Sequence, residues 1–493
     1  MNQDNSSKRD ALPVSVVVMA AGKGTRMKSE RPKVLHRIAG RAMLSHVLAT
    51  VEQLAATNAL QKVVVVTGHG AEAVEAHLSG SPLQAQHLLE FARQMPQLGT
   101  GHAVQQAVPH LPDSGVVVIL NGDVPLIHAD TVQALIQASA GQNLALLTVQ
   151  LADPTGYGRI VRKFTGESND ERQGAVQAIV EHKDATPEQR AIQEIYTGIM
   201  AAPAHWLKRA VTQLQNNNSQ GEYYLTDIVA MAVAEGLPVV GQLTTDEVQV
   251  AGVNSPVQLA ELERAFQQRQ ARRFMEAGVR LADPARFDVR GDLQCASDVE
   301  IDVNCVFEGQ VRLGHRVRIG ANCFIANVQI ADDAVIHPFT HIDGEKPGVV
   351  VGEGALVGPF ARLRPGAVLG AEVHIGNFVE VKNSTMAKGA KANHLAYLGD
   401  ATVGERVNYG AGSITANYDG ANKHRTVIEA DVHVGSNSVL VAPLTLGAGG
   451  TVGAGSVVSK DTPPGALTVT RARQTSLADW SRPVKASKDK PKN

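Results

Sequence analysis

Only three cysteines occur in 493 residues, Cys295, Cys305 and Cys323. An odd number without paired ligand spacing excludes a disulfide framework and the usual structural-zinc patterns, and it suits a reducing compartment. Charge of one sign is equally scarce: 46 Lys plus Arg against 48 Asp plus Glu leave a net charge of -2. No global field recruits nucleic acid or an anionic membrane. Long apolar runs are missing too, since the stretch from Val14 to Ala21 is too short, and too soon followed by Gly22 and Lys23, to be a signal or spanning segment. The expectation is a cytoplasmic protein with no membrane insertion. The start, Met1 to Asp10, is polar, and the tail from Lys485 to Asn493 reads as disordered. The length exceeds what one core usually serves, so two or more domains are expected.

What is present is a period. From Val351 an aliphatic residue recurs every sixth position, at Val357, Leu363, Leu369, Ile375 and Val381, often with Gly next. The same step appears at Leu313, Ile319 and Ile325, and again from Val434 through Leu440, Leu446, Val452 and Val458. Six fits neither a helix nor a simple strand alternation, so it describes a coiling supersecondary unit in which each aliphatic side chain stacks on its equivalent one turn away. The pattern resembles the left-handed parallel β-helix of bacterial hexapeptide acyltransferases, in which three hexads make a turn of about 18 residues.

The first 250 or so residues read differently. Short apolar runs (Val14 to Met19, Val63 to Val66, Val116 to Leu120, Leu144 to Val149) alternate with helical patterns such as Leu44, Val47, Leu48, Val51 and Leu54. That alternation predicts a Rossmann-like α/β domain with a largely parallel sheet. After Asn254 an amphipathic run from Pro256, with Leu259, Leu262, Ala265, Phe266 and Phe274, predicts a linker helix. The expected domains are 1-256, a linker helix over 257-277, and a coil over 278-493, beginning from Asp283-Pro284.

The first predicted strand runs into Met19-Ala20-Ala21-Gly22-Lys23-Gly24-Thr25-Arg26-Met27, a small-residue turn with cations where open α/β sheets bind ligands. The spacing of a Walker motif is absent. The string resembles the opening signature of the nucleoside-triphosphate-dependent sugar-1-phosphate nucleotidylyltransferases. Further matches follow in order: Pro32-Lys33-Val34, Gln97-Leu98-Gly99-Thr100-Gly101, Asn121-Gly122-Asp123-Val124-Pro125, Gly156-Tyr157-Gly158-Arg159, Glu181-His182-Lys183-Asp184, the run from Gly221 to Asp227, and Gly252-Val253-Asn254. Together with the hexads, the strings resemble the bifunctional family that joins an N-acetylglucosamine-1-phosphate uridylyltransferase to a glucosamine-1-phosphate acetyltransferase.

In uridylyl transfer a sugar-phosphate oxygen attacks the α-phosphorus of UTP and pyrophosphate leaves, so the site must position anions and spread their charge. Asp123, after an apolar run, is placed to hold a hard divalent ion; an isolated Asp there would otherwise be a turn or helix cap. The resemblance implies Mg²⁺ on Asp123 and Asn254, phosphates on Arg26 and Lys33, and uracil read by Gln94, Gly99 and Thr100 with Met19, Ala20, Ala21 and Gly22. Asn121 and Gly122 complete the nucleotide side, and Gly158, Glu181 and the position of Tyr196 hold the sugar. Tyr196 departs from the family pattern, which has Asn between Ile and Thr, so the family's carboxamide contact to the sugar is in doubt there, though a backbone contact could survive.

Two breaks in the hexad rhythm, Asn383 to Tyr397 and Asn417 to Lys423, read as loops inserted on a working face. Polar residues there could simply be solvated. Yet Glu380-Val381-Lys382, Asn393 to Asp400, and Arg362-Leu363-Arg364-Pro365-Gly366 match the acetyltransferase signature. The amino group of glucosamine 1-phosphate must lose a proton before it attacks acetyl-CoA, and a histidine near its ordinary pKa of about 6.5 can take it. By resemblance His394 is that base, Arg364 and Lys382 clamp the phosphate, Tyr397 and Asn408 hold the sugar, and Glu380 orients neighbours. Acetyl-CoA is expected along Ala411, Asn417, Tyr418, Ser436, Ala454 and Arg471, with oxyanion donors at Gly410 to Gly412. The family's coils pack as homotrimers. Two other readings stay open: a pyrophosphorylase whose coil is only structural or regulatory, which needs no His394, and a non-catalytic scaffold, which needs neither His394 nor Asp123.

Overall fold

The computed structural model describes residues 12–163 and 174–484. The expectations for Met1 to Asp10 and for Lys485 to Asn493 lie outside the described residues. The chain divides into two compact units, Met1–Arg272 and Arg273–Asn493, and the division falls within the helix Pro256–Glu276.

The first unit is built on one twisted sheet. Seven of its nine strands lie in the spatial order 239–244, 144–150, 194–203, 116–121, 13–20, 59–67 and 89–93, and the antiparallel pair 159–163 and 175–180 joins off this path through Glu194–Pro203. Along the path of seven, neighbours are parallel except Glu194–Pro203, which runs antiparallel to both flanking strands. Val16, Val17, Val18, Val63, Val64, Val65 and Val66 are all 0% exposed. Both faces are therefore covered, which explains why these strands read as unbroken apolar runs rather than alternating ones. Helix Met43–Leu54 turns Leu44, Val47, Leu48, Val51 and Leu54 into one of two core layers. Helices Thr100–Ala107, Ala204–Thr212 and Asp227–Ala234 supply the other. The strand ends Ala20, Arg93 and Asn121 all emerge on one edge of the sheet, as a doubly wound fold requires for its ligands.

The second unit is a parallel β-helix of short strands. Its pairing begins at Arg280–Leu281 on Glu300–Ile301, slightly earlier than the Asp283-Pro284 start expected. One inward column runs Ile301, Ile319, Ile336, Val357, Ile375, Ala392, Tyr409, Val434 and Val452, each at most 2% exposed. The small Ala392 sits beneath the large Tyr409, whose ring fills the room left, and burial pushes that phenol well above its ordinary pKa. The corners turn through left-handed backbone conformations, taken at Asn304, Asn322, Asp333, Asn383, Asp400, Asp431 and Asn437 among others. Asn and Asp tolerate that region better than other non-glycine residues.

Turn length corrects part of the sequence reading. Arg362 pairs with Glu380, a step of 18, and Glu380 with Tyr397, a step of 17. Asn383 to Tyr397 is thus not an inserted loop: its strands Thr385–Met386, Lys391–His394 and Tyr397–Gly399 stay in the coil, and a turn one residue short shifted the apparent rhythm. The second break is a true insertion, because Ala401 pairs with Thr426, a step of 25. A smaller one, not expected, lies before Gly348, where Val328 pairs with Val349, a step of 21.

Candidate functional sites

The first unit's candidate site is a cleft of about 400 Å³ beyond the strand ends. Met19, Ala20, Ala21, Gly22, Lys33, Gln94, Gly99, Thr100, Asn121 and Asp123 all line it, with Lys23, Gln97 and Glu222. The loop after Ala20 turns at Gly24, φ 60°, and a Cβ there would come within 2.8 Å of Lys33 Cβ. Arg26 stands exposed in the short helical turn Thr25–Met27. On the opposite side Gln94 is buried and donates from Nε2 to Gly99 O at 2.8 Å, while Leu225 N donates to Thr100 Oγ1 at 3.1 Å, so the Leu98–Gly101 segment is tied down from both ends. A planar ring entering between these walls would meet backbone and carboxamide groups already fixed in place.

Asp123 and Asn254 converge although 131 residues separate them in the chain. Val253 N donates to Asp123 O at 3.0 Å and Asn254 N to Gln258 Oε1 at 2.8 Å, which fixes both loops. The Lys33 ammonium bridges the two side chains, donating to Asp123 Oδ2 at 2.5 Å and to Asn254 Oδ1 at 3.1 Å. A single cation already satisfies both oxygens, so the donor set fits a hard divalent ion that keeps most of its ligands as waters. Among the described residues no group of three or more His, Cys, Asp or Glu could hold a metal.

The expected sugar residues form a separate cluster. A Cβ on the buried Gly158 would lie 3.6 Å from Glu181 Oε1, and Tyr196 N donates to Gly158 O at 2.9 Å. Thr226 Oγ1 donates to Glu181 Oε1 at 3.0 Å. Burial holds the Glu181 carboxyl above its ordinary pKa, with Asp227 and Asp184 adding to the shift. The Tyr196 side chain is 7% exposed and packs in the core under the sheet; neither its hydroxyl nor the Thr148 hydroxyl opposite has a hydrogen-bond partner among the described residues. Neither Tyr196 nor Glu181 lines the cleft itself.

In the coil, register does what loops do in the first unit. Asn377 pairs with His394 across adjacent turns. Gly412 N donates to His394 O, Asn437 N to Ala411 O and Gly455 N to Ser436 O. His394, Ala411, Ser436 and Ala454 therefore stack in one column, roughly 4.8 Å per turn. His394 is exposed, and its Nδ1 lies 3.1 Å from Asn377 Oδ1. With the proton on Nδ1, that nitrogen donates a hydrogen bond to Asn377 Oδ1 and Nε2 presents its lone pair outward. Arg471 Nη1 donates to Ala454 O at 2.9 Å, at the far end of the column. Asn408 is exposed on the strand one turn above His394, opposite Lys391.

Around the corner at Leu395–Ala396 a cationic cluster faces the same edge. Lys382 pairs with Gly399 in register, one turn above Arg364, whose Nη1 donates to Glu380 Oε1 at 2.8 Å. Tyr397 starts the strand that carries Gly399. Lys423, in the 25-residue turn, lies against Lys382 and, ahead of burial and Arg364, holds its ammonium below the ordinary lysine pKa. Among these cations Arg364 is paired with Glu380, and the Asp400 carboxylate acts on Lys382 in the opposite direction, offsetting the crowding by Lys423 only in part. Asp400 anchors the insertion: it accepts from Asn383 Nδ2 at 2.5 Å and from the buried Asn417 Nδ2. Beyond it Asp419 caps the loop by accepting from Ala421 N, Asn422 N and His424, and Tyr418 stands 61% exposed. Lys423 and Asp400 were given no role in the sequence reading. The signal was available, because Lys423 sits in a rhythm break and Asp400 in a matched string.

Residues 16–280 match the family described as MobA-like NTP transferase domain. Residues 348–383 match the bacterial transferase hexapeptide family, and 310–337 and 425–460 the hexapeptide repeat of succinyl-transferase. These repeats mark the coil as the left-handed form of the parallel β-helix. Among curated proteins, a "Bifunctional protein GlmU" of a Polaromonas species is 68% identical over 97% of this chain and 100% of its own length. The protein of the same name from Polaromonas naphthalenivorans is 69% identical over 96% of this chain and 98% of its own, and that of an Azoarcus species 54% identical over 96% and 100%.

Proposed function

The chain belongs to the family of the bifunctional GlmU proteins, and from that membership we propose how its two constellations divide two transfers between them. The protein is an enzyme that moves the acetyl group of acetyl-CoA to glucosamine 1-phosphate, then the uridylyl group of UTP to N-acetylglucosamine 1-phosphate. The products are UDP-N-acetylglucosamine and pyrophosphate, for cell-envelope synthesis.

In our reading the first unit performs the uridylyl transfer. The turn Met19 to Gly22 with Gln94, Gly99 and Thr100 grips the nucleotide, and Lys23, Arg26 and Lys33 offset the charge of its phosphates. Asn121 walls the cleft beside Asp123, with Gly122 between them in the chain. Gly158 and Glu181 orient the sugar, with Tyr196 contributing its backbone rather than its buried phenol. Asp123 and Asn254 would hold Mg²⁺, which when bound neutralises charge on the phosphates. The protein's part is alignment: the sugar-phosphate oxygen is held in line with the α-phosphorus, and cations meet the charge on the leaving pyrophosphate.

The coil performs the acetyl transfer. Arg364, Lys382 and Lys423 bind the sugar phosphate, and Tyr397 and Asn408 the sugar. His394 Nε2 takes a proton from the substrate amine as its nitrogen attacks the thioester carbonyl; the carbon–sulfur bond then breaks and CoA leaves as the thiol. Acetyl-CoA lies along Ala411, Ser436 and Ala454 with Asn417, Tyr418 and Arg471, where small side chains leave the edge open. We also infer a homotrimer formed through the coil and a cytoplasmic location; among the described residues no helix is long and apolar enough to cross a membrane.

The observation that carries the acetyl-transfer assignment is the close pair Lys382 and Lys423, offset only in part by Asp400, one corner away from His394: cations that would take a phosphate, beside an exposed imidazole held by Asn377. The test incubates the full chain with glucosamine 1-phosphate, acetyl-CoA, UTP and Mg²⁺, omitting each in turn. UDP-N-acetylglucosamine should form only when all four are present; formation without acetyl-CoA would overturn the reading.

A further inference from the structure

Lys33 holds both oxygens that the proposed metal site needs, Asp123 Oδ2 at 2.5 Å and Asn254 Oδ1 at 3.1 Å. Its side chain is only 13% exposed, and its stem runs beneath the phosphate loop, with Cβ 2.8 Å from a Cβ built on Gly24 and Cε 4.0 Å from one on Gly22. The stem is thus fixed while the ammonium lies within reach of two stations, the Asp123 carboxylate and the cleft that the loop encloses. A hard divalent ion sits about 2.0–2.1 Å from its oxygen ligands. An ammonium hydrogen-bonded to the same oxygens occupies that space and repels the ion at contact range. The two cations cannot share the pair. A triphosphate in the cleft offers the ammonium another anion.

We propose that Lys33 is the resident counter-cation of this site in the free enzyme, that it and the divalent ion exclude one another on Asp123 and Asn254, and that the nucleotide phosphates draw it off. Metal affinity is accordingly low until the nucleotide arrives, and metal and nucleotide bind cooperatively. Asp123 is meanwhile neutralised by the chain itself, so the part-buried carboxylate is never left unpaired. The inference rests on the reading of Asp123 and Asn254 as metal ligands.

The test uses Mn²⁺ as probe, its binding followed by electron paramagnetic resonance on the full chain without nucleotide. Lys33→Met should bind Mn²⁺ at least about tenfold more tightly than wild type, because a like charge at contact range is gone. Lys33→Arg, which keeps the charge, should not. Adding Asp123→Ala to Lys33→Met should abolish the gain. A gain that survives Asp123→Ala would overturn both the metal assignment and the inference. No gain in a Lys33→Met protein with an unchanged thermal profile would overturn the counter-cation; Lys33→Gln serves if Met disturbs the fold. Titration with a non-hydrolysable UTP analogue then separates the two failures: loss of Mn²⁺ binding on Asp123→Ala there keeps the metal assignment alone, and unchanged binding removes both.

Discussion

The two units assemble their sites by opposite routes. In the α/β unit, Lys33 meets Asp123 across 90 residues and Asn254 across 221, because each sits on a separate loop beyond a sheet edge. In the coil, His394 meets Asn377 across 17 residues, and Asp400 meets Asn383 and Asn417 across 17 each way, because equivalent positions of successive turns lie side by side. A loop-built site is precise only as far as the packed sheet and helices beneath it are. A register-built site is precise wherever the turn length holds, and it can be enlarged by lengthening a single turn, as the 25-residue step bearing Asn417 to Lys423 does.

The sharpest way to break this comparison is to disable each site and look for damage in the other. His394→Ala should slow acetyl transfer by about 10²–10⁴-fold, the usual cost of losing a positioned base, with the deficit shrinking toward pH 9 as free amine accumulates. Asp123→Ala should cut UTP-dependent pyrophosphate release by about 10²-fold or more, since charge stabilisation at the phosphates is lost. Each variant should leave the other transfer within about twofold of wild type. Paired rates from pH 6 to pH 9, with thiol release and pyrophosphate release measured on the same samples, decide it. A folded Asp123→Ala protein that had lost acetyl transfer would end the two-site account.

The contrast also explains what could be read without coordinates. Apolar runs such as Val16 to Val18 announced buried strands, and the sixfold recurrence of Val357, Leu363 and Leu369 announced the coil, because both signals are local. The antiparallel strand Glu194–Pro203 carries no local mark of its direction. The bridge from Asp123 through Lys33 to Asn254 was out of reach of any spacing argument; matched motifs joined Asp123 to Asn254 but set Lys33 against the phosphates instead. Column partners in the coil were hidden for a smaller reason. Steps of 17, 18, 21 and 25 residues prevent a fixed period from pairing His394 with Ala411 or Lys382 with Gly399. Tyr196 shows the limit in the other direction, since its position in a site motif gave no hint that its ring would turn into the core.

A gentler probe tests whether the coil's precision resides in its register contacts. Asp400 is 7% exposed and accepts from two carboxamides, one on the buried Asn417. Asp400→Ala strands those donors, at about 1–3 kcal/mol each. The insertion that carries Lys423 should loosen, with KM for glucosamine 1-phosphate rising about tenfold and a larger change there than in the pH dependence of kcat. Pyrophosphate release should not move. An unchanged KM would mean that the loop is held by its own turn contacts around Asp419 rather than by the column.

The smallest effect expected belongs to Glu181, where the α/β unit sets stability against binding. Burial raises this carboxyl above its ordinary value of 4.5, with Asp227 and Asp184 pushing the same way, and the Thr226 hydroxyl only partly offsets them. A carboxyl whose folded pKa lies above its unfolded one favours the folded state below the unfolded value, and that contribution is lost as pH rises through the folded value. At neutral pH the charged side chain is therefore a cost to the fold. Glu181→Gln, which keeps the shape and the acceptor for Thr226 but cannot ionise, should raise the melting temperature of the α/β unit by about 1–3 °C at pH 7 and by less at pH 5. The same variant should weaken N-acetylglucosamine 1-phosphate, seen as a higher KM in uridylyl transfer, and leave acetyl transfer alone. Thermal scans at the two pH values, read beside both KM values, check it. A melting gain equal at pH 5 and pH 7 would show that the carboxyl's ionisation is not what strains this part of the fold.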